Sequence, residues 1–466
     1  MIFFLLHIPV YAQELYSADG NIQKSDSENS IAFQIKGRMR FSFQNVKIND
    51  HEDMGLYSFH YDLFGISKLF PGLFLSLGGY GAVTGDRGGF FVGGYGIGYN
   101  IKMLEVFGLE AGLFFGGGGG GNAPQGSGLM LQQYIAFQID LLGIGFQIFG
   151  SNINFPDGKI GSRQIAAGCV IPVDSWVSVQ DFPAVNYVNS YYGTYPFRML
   201  ITPLVYFPSN DSKLKDMTAL SDPIGLIGYS MEYIFKPKLF TKFSFYGAFY
   251  GGVNGYAQML FGLGIIPFSI KDIDAVVIVE AGAGGGGAVH TGGGFLLKPT
   301  VGIRAAIWEN IGVFLDTGYL YAPDGYFRAW SVEAGLIRDI LPLKFDAEDN
   351  GKLIPDNVAL DYWQISVLNK TFFPSKNVIL ESGFPMDSVI HLIGFSLHHP
   401  ITKHLNWTGQ AFGAWYGGVG GYAEGLLGFE LGVKPFTNWQ KFEFTASLLG
   451  GAAGGGGVDV GSGIVW

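Results

Sequence analysis

Lys36, Arg38 and Arg40 occupy alternate positions, so on an extended strand all three project from one side. A row of cations on a wall facing water draws anions along it, as charged rings set selectivity in narrow conduits. The competing reading is ion pairing with carboxylates that face the same interior, such as Glu110, Glu280 or Glu443. The sequence leaves both open.

Other chemistry finds less support. His391, His398, His399 and His404 cluster near Asp387, but their spacing matches no recognised metal-ligand pattern and the earlier parts of the chain lack equivalents. A turn or a membrane-interface location is favoured, and no metal site is expected. Asp50, His51, Glu52 and Asp53 read as a solvated loop tip rather than a cation site. The run Gly116 to Gly121 passes through Asn122-Ala123-Pro124-Gln125 into an apolar strand, with no helix and no Walker lysine, so a phosphate cradle is not indicated. No Gly-X-Ser-X-Gly elbow occurs. Cys169 is the single cysteine, which rules out an internal disulfide and a thiolate zinc cluster. Neither enzymatic activity nor a cofactor is expected.

The elements that position these groups follow from composition. Among 466 residues there are 73 glycines, 16% aromatics and only 14% charged residues, against roughly 25% charged in an average domain. A disordered chain would be richer in charge and poorer in aromatics. No apolar run reaches the roughly 18 residues of a membrane helix, although mean hydropathy is +0.27. The net charge of −10 without a basic cluster argues against a nucleic-acid partner.

Residues 1–12 read as a signal peptide, with an apolar core and Val10 and Ala12 spaced like a cleavage site; no Lys or Arg precedes that core. A polar leader, 13–30, follows. Beyond it a period of 166 residues is evident: Gly81-Ala82 recurs as Gly247-Ala248 and Gly413-Ala414, and Gly89 recurs as Gly255 and Gly421. Each copy carries a glycine run, at Gly116 to Gly121, Gly284 to Gly287 and Gly454 to Gly457. The copies are 58–223, 224–389 and 390–466, the third incomplete.

Residues 31–44 alternate strictly, with Ile31, Phe33, Ile35, Met39, Phe41 and Phe43 on one face and Gln34, Lys36, Arg38, Arg40, Ser42 and Gln44 on the other. Phe243, Phe245 and Phe249 likewise oppose Lys242, Ser244 and Tyr246. From Ser58, eight segments are read per period, near 58–67, 72–83, 89–101, 104–115, 127–139, 142–153, 162–172 and 195–206. Their connections alternate between short and long. Tyr246, Tyr250, Tyr256, Trp415, Tyr416 and Tyr422 flank glycine-rich turns and are assigned to the level where lipid meets water.

With these strands, the signal-like start and a Val458, Val460, Ile464, Trp466 alternation at the carboxyl end, the chain resembles bacterial outer-membrane β-barrel proteins over residues 31–466. The resemblance implies an all-β, transmembrane, antiparallel up-and-down barrel of about 22 strands; tandem eight-stranded units are the alternative. It implies outer-membrane lipid touching outward rings such as Phe33, Phe41 and Phe444, insertion by the barrel assembly machinery, and compatibility with a homo-oligomer. On this reading Lys36, Arg38, Arg40, Glu110, Glu280 and Glu443 are pore-lining candidates. The expected function is a porin-like channel for passive passage of small solutes, with a structural or adhesive surface protein as the alternative.

Overall fold

A computed structural model describes residues 31–465 except 49–51, 66–68, 105, 174, 180–196, 237, 309–310, 341–363, 376–377, 402–403, 434–443 and 462. The proposed signal and leader, and Glu443, lie outside the described residues. Among those described, no helix is long and apolar enough to cross a membrane, and the regular elements are strands. A short ribbon pairs β1 (Ile31–Ile35) with β10 (Ser175–Val179).

Between them β2 (Gly37–Val46), β3 (Met54–Phe64), β4 (Leu73–Thr84), β5 (Phe91–Lys102), β6 (Phe107–Gly119), β7 (Leu129–Leu141), β8 (Ile144–Asn154) and β9 (Gly161–Pro172) close into a barrel. A second closed barrel comprises β11 (Phe197–Pro208), β12 (Ile224–Lys236), β13 (Leu239–Tyr250), β14 (Ala257–Ile270), β15 (Ile273–Gly285), β16 (Phe295–Trp308), β17 (Ile311–Tyr321) and β18 (Arg328–Ile340). The third unit is a six-stranded sheet of β19 (Gln364–Phe372), β20 (Ile390–Pro400), β21 (Leu405–Tyr416), β22 (Ala423–Val433), β23 (Phe444–Gly454) and β24 (Ile464–Val465).

The strands are therefore antiparallel and arranged as tandem units, two of them closed eight-stranded barrels, rather than as one wide barrel. Closure decides this: β2 pairs with β9 from Arg38↔Pro172 to Gln44↔Ala166, and β11 pairs with β18. Each unit thus starts one strand earlier than a period counted from Ser58. Alternation sets the two faces. Along β7, Met130, Gln132, Tyr134, Ala136 and Gln138 are buried inside, whereas Leu131, Gln133, Ile135 and Phe137 are exposed outside. One rim of each barrel has short connections, such as 142–143 and 271–272, and the other has longer ones, such as 120–128 and 286–294.

The three units pack head to tail in a closed ring. β4 of the first meets β15 of the second, β13 of the second meets β23 of the third, and β21 of the third meets β6 of the first. Equivalent strands make each junction, so the repeat has an approximate three-fold arrangement within a single chain. Outside the first barrel, Phe41 and Phe59 meet Phe261 and Phe243 of the second, with ring centroids 5.6 and 5.5 Å apart. Phe41 therefore faces protein rather than lipid, and the side chains of Phe33 and Phe444 lie outside the described set.

The recurrent glycines sit at these junctions. A Cβ on Gly421, whose φ is +95°, would stand 2.8 Å from Gly120 N, and one on Gly255, φ +79°, 2.8 Å from Gly455 N. A side chain there would hold the neighbouring backbones apart. The close approach allows Gly421 N–H to donate to Gly118 O at 3.1 Å, and Gly88 N–H to donate to Gly292 O at 2.9 Å.

Candidate functional site: the filled barrel interiors

Eight strands enclose a lumen that side chains fill, and here the filling is polar across the middle. In the first barrel Arg38 reaches Asp62 at 2.8 Å and Glu110 at 2.5 Å, while Arg40 reaches Asp62 at 3.2 Å. Tyr134 O–H donates to Glu110 at 2.9 Å, and the guanidinium of Arg40 lies 5.0 Å from the centroid of its ring. Amides occupy the rest: Gln44 Oε1 accepts from Gln132, Ser151 and Gln164, and Gln147 Nε2 donates to Gln138 at 3.0 Å.

The second barrel is more heavily charged. Lys242 stands 3.5 Å from Glu280, 3.6 Å from Glu333 and 3.8 Å from Asp316. Lys298 pairs with Glu333 and lies 3.6 Å from Glu280. Arg304 bridges Asp316 and Glu232, the latter at 2.8 Å. The side chains of Lys242 and Lys298 have no solvent-exposed surface. Charges so deeply buried persist only when paired, because desolvation of each ion costs several kcal/mol. In the third unit Lys370 pairs with Glu424, and His398 Nδ1 stands 3.1 Å from Glu430.

Of the sequence-derived candidates, Arg38, Arg40 and Glu110 meet in one lumen and Glu280 lies in another. Lys36 does not join them: it is exposed in the break between β1 and β2, at the edge of the barrel, where its carbonyl accepts from Phe64 N–H of β3 at 2.8 Å. The aromatic candidates divide. Tyr250 and Tyr416, the last residues of β13 and β21, are 64% and 53% exposed at the rim. Trp415 is half-buried and donates to Asn369 at 3.1 Å. Tyr246, Tyr256 and Tyr422 are buried inside, contrary to the expected interface position. Tyr246 shares its parity with inward Lys242 and donates to Glu333 at 2.9 Å. Tyr256 packs its ring against Phe327, 5.7 Å between centroids.

Sequence reasoning missed Asp62, Lys242, Lys298, Arg304, Asp316 and Glu333 as interior charges. The available signal was parity, since each falls on the polar face of an alternating strand. No cluster of three or more metal-ligating side chains occurs among the described residues. His398 instead lies within hydrogen-bond distance of Ser396 and Thr408.

No family model and no curated protein matches the chain. Among solved structures, a de novo designed transmembrane β-barrel aligns at 11% identity and a TM-score of 0.22, covering 32% of this chain and 100% of its own. The NanC porin aligns at 8% and 0.17, covering 66% and 100%. OpdL of Pseudomonas aeruginosa aligns at 11% and 0.20, covering 86% and 93%. At TM-scores this low, closure is established by the strand ladders of this chain and not by the likeness.

Proposed function

We propose that the chain is a structural protein of the bacterial outer membrane, a ring of barrel units that passes no solute through the lumina of its two closed barrels at rest. The observation that carries this reading is the placement of charge and apolar surface. Lys242 and Lys298 are sealed among carboxylates inside, while outward residues such as Ile135 and Ile165 are 63% and 81% exposed. That inversion of a soluble protein suits hydrocarbon outside and a packed polar core within. Outer-membrane lipid is then the principal partner, insertion falls to the barrel assembly machinery, and no catalytic step is assigned. Homo-oligomerisation through the outer faces is compatible with this reading.

A second reading, a porin-like channel for passive passage of small solutes, is favoured by one observation. Arg38, Arg40 and Glu110 line the polar interior with side-chain partners only, so re-pairing among these groups would open a hydrophilic path. Planar-bilayer recording separates the two. The structural reading expects membrane insertion without unitary conductance steps; discrete steps from the unmodified protein would overturn it in favour of the channel. Release of the protein from membranes by carbonate washing would remove both.

A further inference from the structure

The outer wall of the first barrel carries an oblique groove of about 850 Å3. It starts beside Arg163, two residues inside the rim with the longer connections, and descends towards Leu73 at the opposite rim. Strand pairing places Gln133, Asn152 and Arg163 side by side at its upper end, then Ile135, Gly150 and Ile165 in the row below. The floor is shallow because Gly150 has no side chain, and a Cβ added there would meet nothing within 4 Å. Arg163 is exposed and has no ion-pair partner among the described residues.

The second barrel does not repeat this feature. At the corresponding positions, strand pairing places Pro299, Tyr319 and Trp330 above and Val301, Thr317 and Val332 below. Tyr319 and Trp330 stack edge to face, 5.1 Å between centroids. One unit thus presents an aromatic anchor, and the other a cation flanked by amides over an apolar trough.

We propose that the groove of the first barrel binds one anionic phospholipid. An acyl chain lies along Leu113, Ile135 and Ile165 over Gly150, and the headgroup phosphate meets the Arg163 guanidinium with Asn152 and Gln133 as further donors. Charge complementarity selects this occupant: an unpaired guanidinium at headgroup depth favours a phosphate whose negative charge no ammonium in the same headgroup offsets, so a net anionic lipid is preferred to a zwitterionic one. The assignment rests on the membrane reading above.

Native mass spectrometry of the full-length protein, delipidated in micelles and titrated with phosphatidylglycerol, tests it. The intact protein retains one phosphatidylglycerol in preference to phosphatidylcholine, and inorganic phosphate does not displace it. Gly150→Leu, which fills the floor, and Arg163→Gln, which removes the charge, each bind about tenfold more weakly. The double change Thr317→Gly with Trp330→Arg installs a second retained lipid on the other barrel, a gain that misfolding cannot mimic. Unchanged retention in Gly150→Leu or Arg163→Gln overturns the proposal, as does equal retention of the two lipids. These failures leave carbonate resistance intact, whereas loss of carbonate resistance strikes the membrane reading itself.

Discussion

The two closed barrels share strand order, junction glycines and an inward polar band, yet they fill that band differently. At the 166-residue spacing, Ser76, Phe114, Gln132 and Gln138 of the first barrel correspond to Lys242, Glu280, Lys298 and Arg304 of the second. One residue further on in register, Phe149 and Ala166 correspond to Asp316 and Glu333. The ions are exchanged as a set. A buried lysine without its carboxylates is untenable, so the neutral or charged choice at one position dictates the choice at its neighbours. The backbone therefore specifies a polar band, and only mutual compensation specifies its charge.

Breaking the set in the second barrel is expected to have the largest effect. Glu333→Ala alone removes the nearer of the two carboxylates beside Lys298 and one of the three around Lys242, costing about 3–5 kcal/mol. Urea titration followed by heat-sensitive gel mobility measures it. Pairing that change with Lys298→Gln restores the first barrel's residues at both places and recovers more than half of the loss. No recovery would show that the two fillings are not interchangeable.

A smaller effect is expected at the junction between the third unit and the first barrel. Gly421→Leu places a side chain at φ +95° against Gly120, and the left-handed backbone alone costs about 1–2 kcal/mol. Hydrogen exchange should rise at Gly118 to Gly128 while the ladders of the second barrel stay protected. Uniform loss of protection in all three units would show that the junctions do not act separately.

The smallest effect distinguishes the two outer walls. Tyr319→Ala removes an edge-to-face partner of Trp330 and should lower stability by about 0.5–1.5 kcal/mol. Asn152→Ala, at the matching place on the first barrel, should change lipid-free stability by less than that in the same titration. Equal losses would remove the distinction.

Much of the architecture was legible because alternation is a local property. The phase of residues 31–44 placed Arg38 and Arg40 inside, and the glycine period announced equivalent units. Barrel size was not legible, since the β2–β9 ladder joins segments more than a hundred residues apart and no local pattern encodes which strand closes the sheet. Tyr246 shows how a composition rule misled: tyrosine beside a glycine turn suggested the lipid boundary, but its parity with Lys242 carried it to Glu333. The ring contacts escaped for the opposite reason. Phe41 is outward as its phase demands, and what it touches is another copy of the repeat.

The joining of all three units in one polypeptide has a further consequence. In an assembly of identical subunits, any substitution appears at every symmetry-related place, so a specialised recess would be copied threefold. Here Arg163 and Gly150 of the first barrel correspond in the repeat to Trp330 and Thr317 of the second. Fusion thus lets the first barrel carry a recess where the second carries an aromatic pair, a divergence closed to a homotrimer.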